Sequence, residues 1–179
     1  AQGKIYKTVD GGENWFEIWF GDSLVRHIII DPTDSDIVYA ATGIFDTEAF
    51  NSDIAGGVPG GVGVLKSTDA GATWSQINNG LTSLFVGYLT MHPTDPLTLY
   101  AATGMYSAQG LVTSGLFVTN NGGSTWTPRN VTEWTLTAVR ISTFDPDIQY
   151  AGNASAIWLS ENGGTTWQQF DNGDGTYGP

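Results

Sequence analysis

The stretch that decides the fold is residues 67–74, which read Ser-Thr-Asp-Ala-Gly-Ala-Thr-Trp. Its order is a hydroxyl residue, an Asp or Asn two places on, a central Gly and a final Trp, and this order occurs four times. The copies, here called box 1 to box 4, are residues 8–15, 67–74, 119–126 and 160–167. Short Asx side chains and Gly favour tight turns. Four copies therefore indicate one supersecondary unit used repeatedly.

A second pattern lies between the boxes. Asp31-Pro32, His92-Pro93 and Asp145-Pro146 each precede a Tyr-Ala pair, at Tyr39, Tyr100 and Tyr150 respectively. The apolar, β-branched runs around these positions predict four short strands per unit. The predicted strands are 24–30, 37–41, 63–66 and 73–77, then 84–91, 97–101, 115–118 and 125–128, then 136–144, 148–152, 156–159 and 166–170. Two further strands, 4–7 and 14–19, precede them, and no segment has sustained helical periodicity.

The boxes resemble the Asp-box, or BNR repeat, of sialidases, family 74 glycoside hydrolases (xyloglucanases), sortilin-type receptor domains and a photosystem assembly factor. This resemblance implies an all-β fold, a β-propeller segment of about three and a half four-stranded antiparallel blades. Each box would be the hairpin turn between the third and fourth strands of a blade. It also implies structural roles for the box residues, with the Asx side chain holding the turn and the Trp packed in the core: Asp10, Trp15, Asp69, Trp74, Asn121, Trp126, Asn162 and Trp167.

The predicted division of the chain follows from the boxes. Residues 1–20 form a half blade of two outer strands, 21–79, 80–131 and 132–170 form full blades, and 171–179 form a tail or the start of another blade. Closed propellers have about 4–8 blades, and the chain begins at Ala1 rather than Met. We therefore expect part of a larger propeller. The free edge of strand 4–7 would be covered by the remainder of a longer parent chain or by neighbouring subunits.

Composition excludes several classes of function. Six basic and 18 acidic residues give a net charge of −12, which argues against nucleic acid and anionic membranes as partners. The absence of cysteine excludes disulfides, thiol catalysis and Cys-ligated zinc. His27 and His92 occupy different repeat positions, so we predict no metal site and no cofactor. With only 13% charged residues, the composition suits an extracellular or cell-surface protein without membrane insertion.

The candidate ligand site lies on the face that carries the variable loops and the links between blades, where function usually resides. Aromatic planes there would meet sugar rings and carboxylates would accept their hydroxyls. Counting back six residues from each turn proline aligns Arg26, Gly87 and Arg140, which predicts equivalent places beside a central channel. Trp19 and Trp134 have an alternative role as gap-fillers between blades. The full candidate set is Trp19, Phe20, Asp22, Arg26, Glu133, Trp134 and Arg140.

The sequence favours a secreted or surface module for carbohydrate or protein binding, with a polysaccharide as one partner. The alternative is a fragment of a xyloglucanase-like glycoside hydrolase. Such an enzyme needs two carboxylates about 5–9.5 Å apart, but no candidate acid stands in a matching motif, so no catalytic residue is assigned. The chain has only three arginines and no Arg-Ile-Pro stretch, which argues against a sialidase. Glycosylation sequons begin at Asn130 and Asn153, and the candidate acids are Asp22, Asp46, Glu48, Asp53 and Glu133.

Overall fold

The computed structural model describes residues 2–43, 61–103, 115–129, 136–153 and 156–169. Within these ranges the secondary structure is entirely β, in three four-stranded antiparallel sheets, called blades 1 to 3, and a two-stranded half blade. None of these segments forms a helix long and apolar enough to span a bilayer. The half blade pairs β1 (Gly3–Lys7) with β2 (Phe16–Gly21).

The three blades repeat one strand order. Blade 1 contains β3 (Val25–Ile30), β4 (Val38–Thr42), β5 (Val64–Ser67) and β6 (Ser75–Gln76). Blade 2 contains β7 (Val86–His92), β8 (Asp95–Thr103), β9 (Gly115–Thr119) and β10 (Thr127–Arg129). Blade 3 contains β11 (Ala138–Ile141), β12 (Gln149–Gly152), β13 (Ile157–Ser160) and β14 (Gln168–Gln169). Within each blade every strand pairs with the next in sequence, which confirms the predicted antiparallel blades.

The strand ends differ from the prediction mainly at the fourth strand. Residues 73–77 were expected to be extended, whereas β6 covers only Ser75–Gln76. The reason is that the amide of Thr73 donates to Oδ1 of Asp69 at 2.8 Å, so this residue belongs to the box turn and not to the ladder. The turn thus shortens each outer strand, because its side chain–backbone bond competes with sheet pairing.

Box 2 shows how the sequence makes the turn. Asp69 accepts the Thr73 amide and, at 2.6 Å, the Thr73 hydroxyl, while the Ser67 hydroxyl donates to it at 2.7 Å. Gly71 has a φ of 91°, which a Gly tolerates without strain, whereas Ala70 adopts a φ of 56° as a non-Gly residue. Hydrogen bonds from the Thr73 hydroxyl and amide, then from Ser67, lower the pKa of Asp69 to about 2. The carboxylate is therefore an ionised acceptor at the centre of the turn.

Boxes 3 and 4 keep this geometry with an amide in place of the carboxylate. Asn121 Oδ1 accepts the Thr125 amide at 3.0 Å, and its Nδ2 donates to the Thr125 hydroxyl at 2.9 Å. Asn162 and Thr166 repeat both bonds at 2.9 and 2.7 Å. In box 1, hydrogen bonds from Asn14 lower the pKa of Asp10 to about 2. An Asp or an Asn can therefore hold the turn, because the side chain of the residue four places further along can donate a hydrogen bond to the Asp carboxylate or accept one from the Asn amide.

The box tryptophans are not equally buried, so the expectation of four core tryptophans is wrong for Trp15. Trp126 is 3% exposed and Trp15 is 59% exposed, while Trp74 and Trp167 are half-buried. The indole of Trp126 donates to the Ile77 carbonyl of the preceding blade at 2.7 Å, whereas the other three donate to a Gly carbonyl of their own box. Burial therefore depends on the neighbouring blade and not on the box itself.

The core lies between consecutive blades. Tyr39 of blade 1 packs with Leu89, Phe117 and Trp126 of blade 2 in one cluster of buried side chains. A second cluster joins blades 2 and 3 around Trp158, which is 1% exposed. Consecutive blades in the described ranges thus stabilise one another, as in other repeat proteins. This stacking places the first strands β3, β7 and β11 side by side.

Candidate functional site

The candidate site lies on these three neighbouring first strands and is here called the inner-strand cluster. It consists of Arg26 and His27 on β3, Phe85 and Tyr88 beside and on β7, and Arg140 on β11. The His27 and Tyr88 rings are 4.0 Å apart between centroids. The Arg140 guanidinium carbon lies 4.8 Å from the Tyr88 centroid, and that of Arg26 lies 5.6 Å from the Phe85 centroid. Two cations therefore lie against aromatic rings in a strongly acidic chain.

The inner-strand cluster contains an exposed cation, Arg140, and two shielded polar groups, on His27 and Tyr88. Burial, and then the positive charge of Arg140, lower the pKa of His27. His27 Nδ1 and the Tyr88 hydroxyl are shielded from solvent and have no hydrogen-bond partner among the described residues. Arg140 is exposed, and no carboxylate in the described ranges forms an ion pair with it. Shielded polar groups without partners are uncommon in folded proteins.

The two candidate arginines do not occupy equivalent places, which corrects the sequence alignment. Arg140 stands opposite Tyr150 of the second strand, the position that Ile29 holds opposite Tyr39. Arg26 instead falls in a β-bulge of β3. Gly87 lies in the corresponding bulge of β7, so the alignment is right for blades 1 and 2 and wrong for blade 3.

Arg140 was misaligned because the proline used as the reference stands at different places in turns of the same length. Pro32 lies three residues after Ile29, whereas Pro146 lies six residues after Arg140. The backbone of the two turns is nevertheless the same. The amide of Asp31 donates to the Ile37 carbonyl and that of Ser142 to the Ile148 carbonyl, both at 3.0 Å. Ladder register, and not the proline, therefore defines equivalent positions.

The remaining candidates lie on the half blade or outside the described residues. Trp19 is half-buried against the cluster of Ile5 and Leu65, and its ring covers Gly21, where an added Cβ would collide with it. This contact is the gap-filling arrangement. Phe20 is 50% exposed, with Lys4 Nζ 5.5 Å from its ring centroid. The exposed Asp22 follows β2, and none of these three joins the inner-strand cluster; Glu133 and Trp134 lie outside the described residues.

The described residues provide little for acid–base or metal chemistry. Of the five candidate catalytic acids, only Asp22 lies within the described ranges. The described His, Asp and Glu side chains form no group of three or more that could hold a metal ion. Hydrogen bonds in the box turns keep Asp10 and Asp69 ionised, so neither carboxylate can donate a proton near neutral pH.

Sequence reasoning missed three members of the cluster, His27, Phe85 and Tyr88. A signal was available for two of them, because His27 stands opposite Ala41 and Tyr88 opposite Ala102 in the same register. Both are polar aromatic residues at one repeat position on a first strand. Phe85 carried no such signal, since it falls inside the predicted strand 84–91 but just before the observed β7.

A scan against protein-family models finds no match for the sequence, and a search of curated proteins finds no similar sequence. Solved structures do resemble the fold. An ancestral GH74 enzyme is 18% identical with a TM-score of 0.61, and 96% of this chain is covered. The GH74 xyloglucanase from Xanthomonas campestris is 17% identical with a TM-score of 0.57, and the GH74 enzyme of Niastella koreensis is 22% identical with a TM-score of 0.53; each covers 83% of this chain.

These likenesses show the fold: the chain is a β-propeller segment similar to part of the GH74 structures. It spans only 22–23% of the length of those chains. Its length therefore corresponds to a small part of each matched chain.

Proposed function

We propose that the chain is a binding module of an Asp-box propeller and that its inner-strand cluster binds the carboxylate of a short acidic oligosaccharide. The observation that carries the proposal is Arg140, whose exposed guanidinium lies 4.8 Å from the Tyr88 ring centroid and forms no ion pair with a carboxylate in the described ranges. The module would act in an extracellular or cell-surface protein, in which further blades complete the propeller.

The chemistry of the cluster suits a carboxylate better than a neutral sugar ring. A guanidinium binds a carboxylate through two parallel hydrogen bonds, and Arg140 is exposed enough to do so. Sugar stacking needs an open aromatic face, but both Tyr88 and Phe85 have a cation against the ring. Among the described candidates, Phe20 offers the more open ring, at 50% exposure.

The charge of the whole chain limits the size of the ligand. A net charge of −12 repels long polyanions at low ionic strength. A ligand of one or two uronic acid units carries few charges, so the arginines of the cluster can bind it with little of this repulsion. The likeness to GH74 enzymes, one of them a xyloglucanase, supports carbohydrate as the ligand class.

Isothermal titration calorimetry with digalacturonate tests this function. We expect saturable binding by the full chain, weakened at least about tenfold by Arg140→Gln, since a charged hydrogen bond contributes about 1.5–3 kcal/mol. Lys4→Gln is the matched control, because it also removes one positive charge but lies on the half blade. No binding by the wild type, or equal losses in both variants, would contradict the proposal.

The second candidate, a fragment of a xyloglucanase-like hydrolase, is favoured by the likeness to a GH74 xyloglucanase. Release of reducing ends from xyloglucan measures it directly. Hydrolysis that is abolished by Asp22→Asn would support the enzyme and would displace binding as the main function.

A further inference from the structure

The described part of the chain contains three asparagine–glycine pairs: Asn79-Gly80, Asn121-Gly122 and Asn162-Gly163. In such a pair the backbone nitrogen of the Gly can attack the side-chain carbonyl carbon of the Asn, because no Cβ hinders the approach. A C–N bond forms, ammonia leaves, and water then opens the resulting succinimide ring to aspartate or isoaspartate. The three pairs have the same two residues, so the folded surroundings decide which of them reacts.

The pair in box 3 is held against this reaction by hydrogen bonds. The Asn121 Oδ1 accepts from the Thr119 hydroxyl at 2.8 Å and from the Thr125 amide at 3.0 Å. Its Nδ2 donates to the Thr125 hydroxyl at 2.9 Å. The attacking group is also engaged, because the Gly122 amide donates to the Leu97 carbonyl at 2.9 Å. The reaction must break these bonds before the Gly nitrogen can reach the side-chain carbon.

The pair in box 4 is held in the same way. The Asn162 Oδ1 accepts from the Ser160 hydroxyl at 3.0 Å and from the Thr166 amide at 2.9 Å, and its Nδ2 donates to the Thr166 hydroxyl at 2.7 Å. The Gly163 amide donates to the Asp147 carbonyl at 3.0 Å. The hydrogen bonds that make the box turns therefore also protect the Asn residues within them.

The third pair lies outside the boxes, in the link between blades 1 and 2, and has few such restraints. Asn79 is exposed, and among the described residues its side chain makes one hydrogen bond, from Nδ2 to the Ser124 carbonyl at 3.4 Å. The exposed Gly80 donates no backbone hydrogen bond to the part of the chain that the structure describes. Both reacting groups of this pair are therefore accessible.

We infer that Asn79 is the deamidation site among these pairs in the folded chain, and that its conversion loosens the junction between blades 1 and 2. The Asn79 carbonyl accepts the Trp126 amide at 2.8 Å, and a Cβ added at Gly80 would collide with the Trp126 carbonyl. Isoaspartate lengthens the backbone by one methylene group between these two contacts. Either product also places a carboxylate where an amide now donates to the Ser124 carbonyl. This inference does not depend on the proposed carbohydrate site.

Incubation of the full chain in warm, mildly alkaline buffer, followed by peptide mapping with mass spectrometry, tests the site. Chymotrypsin separates the three pairs into different short peptides, because an aromatic residue or a Leu flanks each pair on both sides. We expect Asn79 to deamidate at least about tenfold faster than Asn121 or Asn162, since the box hydrogen bonds must break first. In guanidinium chloride, where these bonds are lost, the three rates should become similar.

Thr166→Val is a matched variant that tests the protection. It removes the hydroxyl that accepts from Asn162 Nδ2 but keeps the amide that donates to Oδ1. Deamidation of Asn162 should become about fivefold faster, for the loss of one neutral hydrogen bond. The rate at Asn121 should not change, and it reports in the same sample that the rest of the fold is intact.

Two results would overturn the assignment of the site. One is deamidation of Asn121 or Asn162 as fast as that of Asn79 in the folded chain. The other is an equal preference for Asn79 in guanidinium chloride, because local sequence and not the fold would then set the order.

Urea unfolding before and after the incubation tests the loosened junction. The midpoint should fall in the wild type and stay constant in Asn79→Gln, whose longer side chain does not form the five-membered succinimide. A constant midpoint in a wild type whose Asn79 has been converted would overturn this part of the inference.

Discussion

Replacing Trp126 by Ala should destabilise the chain far more than replacing Trp15, although both are the Trp of a box. Trp126 is 3% exposed, packs in the core between blades 1 and 2 and donates to the Ile77 carbonyl at 2.7 Å. Loss of a buried Trp costs about 3–5 kcal/mol, and the orphaned carbonyl adds to this. Trp15 is 59% exposed and donates only to its own Gly12 carbonyl, so its loss should cost below about 1 kcal/mol.

Urea unfolding followed by far-UV circular dichroism measures the difference without relying on the tryptophans as probes. With a denaturant slope of about 2 kcal/mol per molar, Trp126→Ala should lower the midpoint by about 2 M and Trp15→Ala by less than about 0.5 M. Equal shifts in the two variants would refute the reasoning, because burial would then come from the box and not from the neighbouring blade.

Three further outcomes follow from the turns and the cluster. Gly123→Ala should lower the unfolding free energy by about 2 kcal/mol or more, because φ is +90° and the new Cβ would meet a side chain of the preceding blade. Gly11→Ala, at φ +75° in open space, should cost about 1 kcal/mol. Thermal melting that ranks the two variants in the reverse order would contradict this. Because the folded pKa of Asp69 is lowered to about 2, its stabilisation is complete above about pH 4 and is lost as the pH falls toward 2. Asp69→Asn should therefore flatten stability over that window, and an unchanged acid slope in urea midpoints would count against it. The pKa of His27, followed by NMR, should lie below 6.5 and rise in Arg140→Gln; a value insensitive to that substitution would show that the two side chains are not neighbours.

The strands and turns were predictable because their causes are local. Asp69, Gly71 and Thr73 lie within five residues and contain every donor and acceptor that the turn needs. The same reasoning applies to all four boxes, even where Asn121 replaces Asp. Strand identity followed from β-branched apolar runs between these turns, so the blade count emerged from the sequence.

Tryptophan burial and arginine register were not predictable, because both depend on contacts across the fold. Trp15 and Trp126 have the same local sequence role, but only Trp126 has a described blade packed against it. Arg140 was misaligned with Arg26 because Pro146 moved within its turn while the ladder stayed in register. Local sequence therefore determined the turns, whereas strand pairing and packing between blades determined which residues became neighbours.

A crystal structure of the chain with bound digalacturonate tests the central claim most directly, since it reports both the register of the blades and the site that they form. The account predicts Arg140 opposite Tyr150, its guanidinium over Tyr88, and a ligand carboxylate hydrogen-bonded to Arg140. A ligand bound away from the three first strands, or Arg140 shifted into a bulge like that of Arg26, would contradict it.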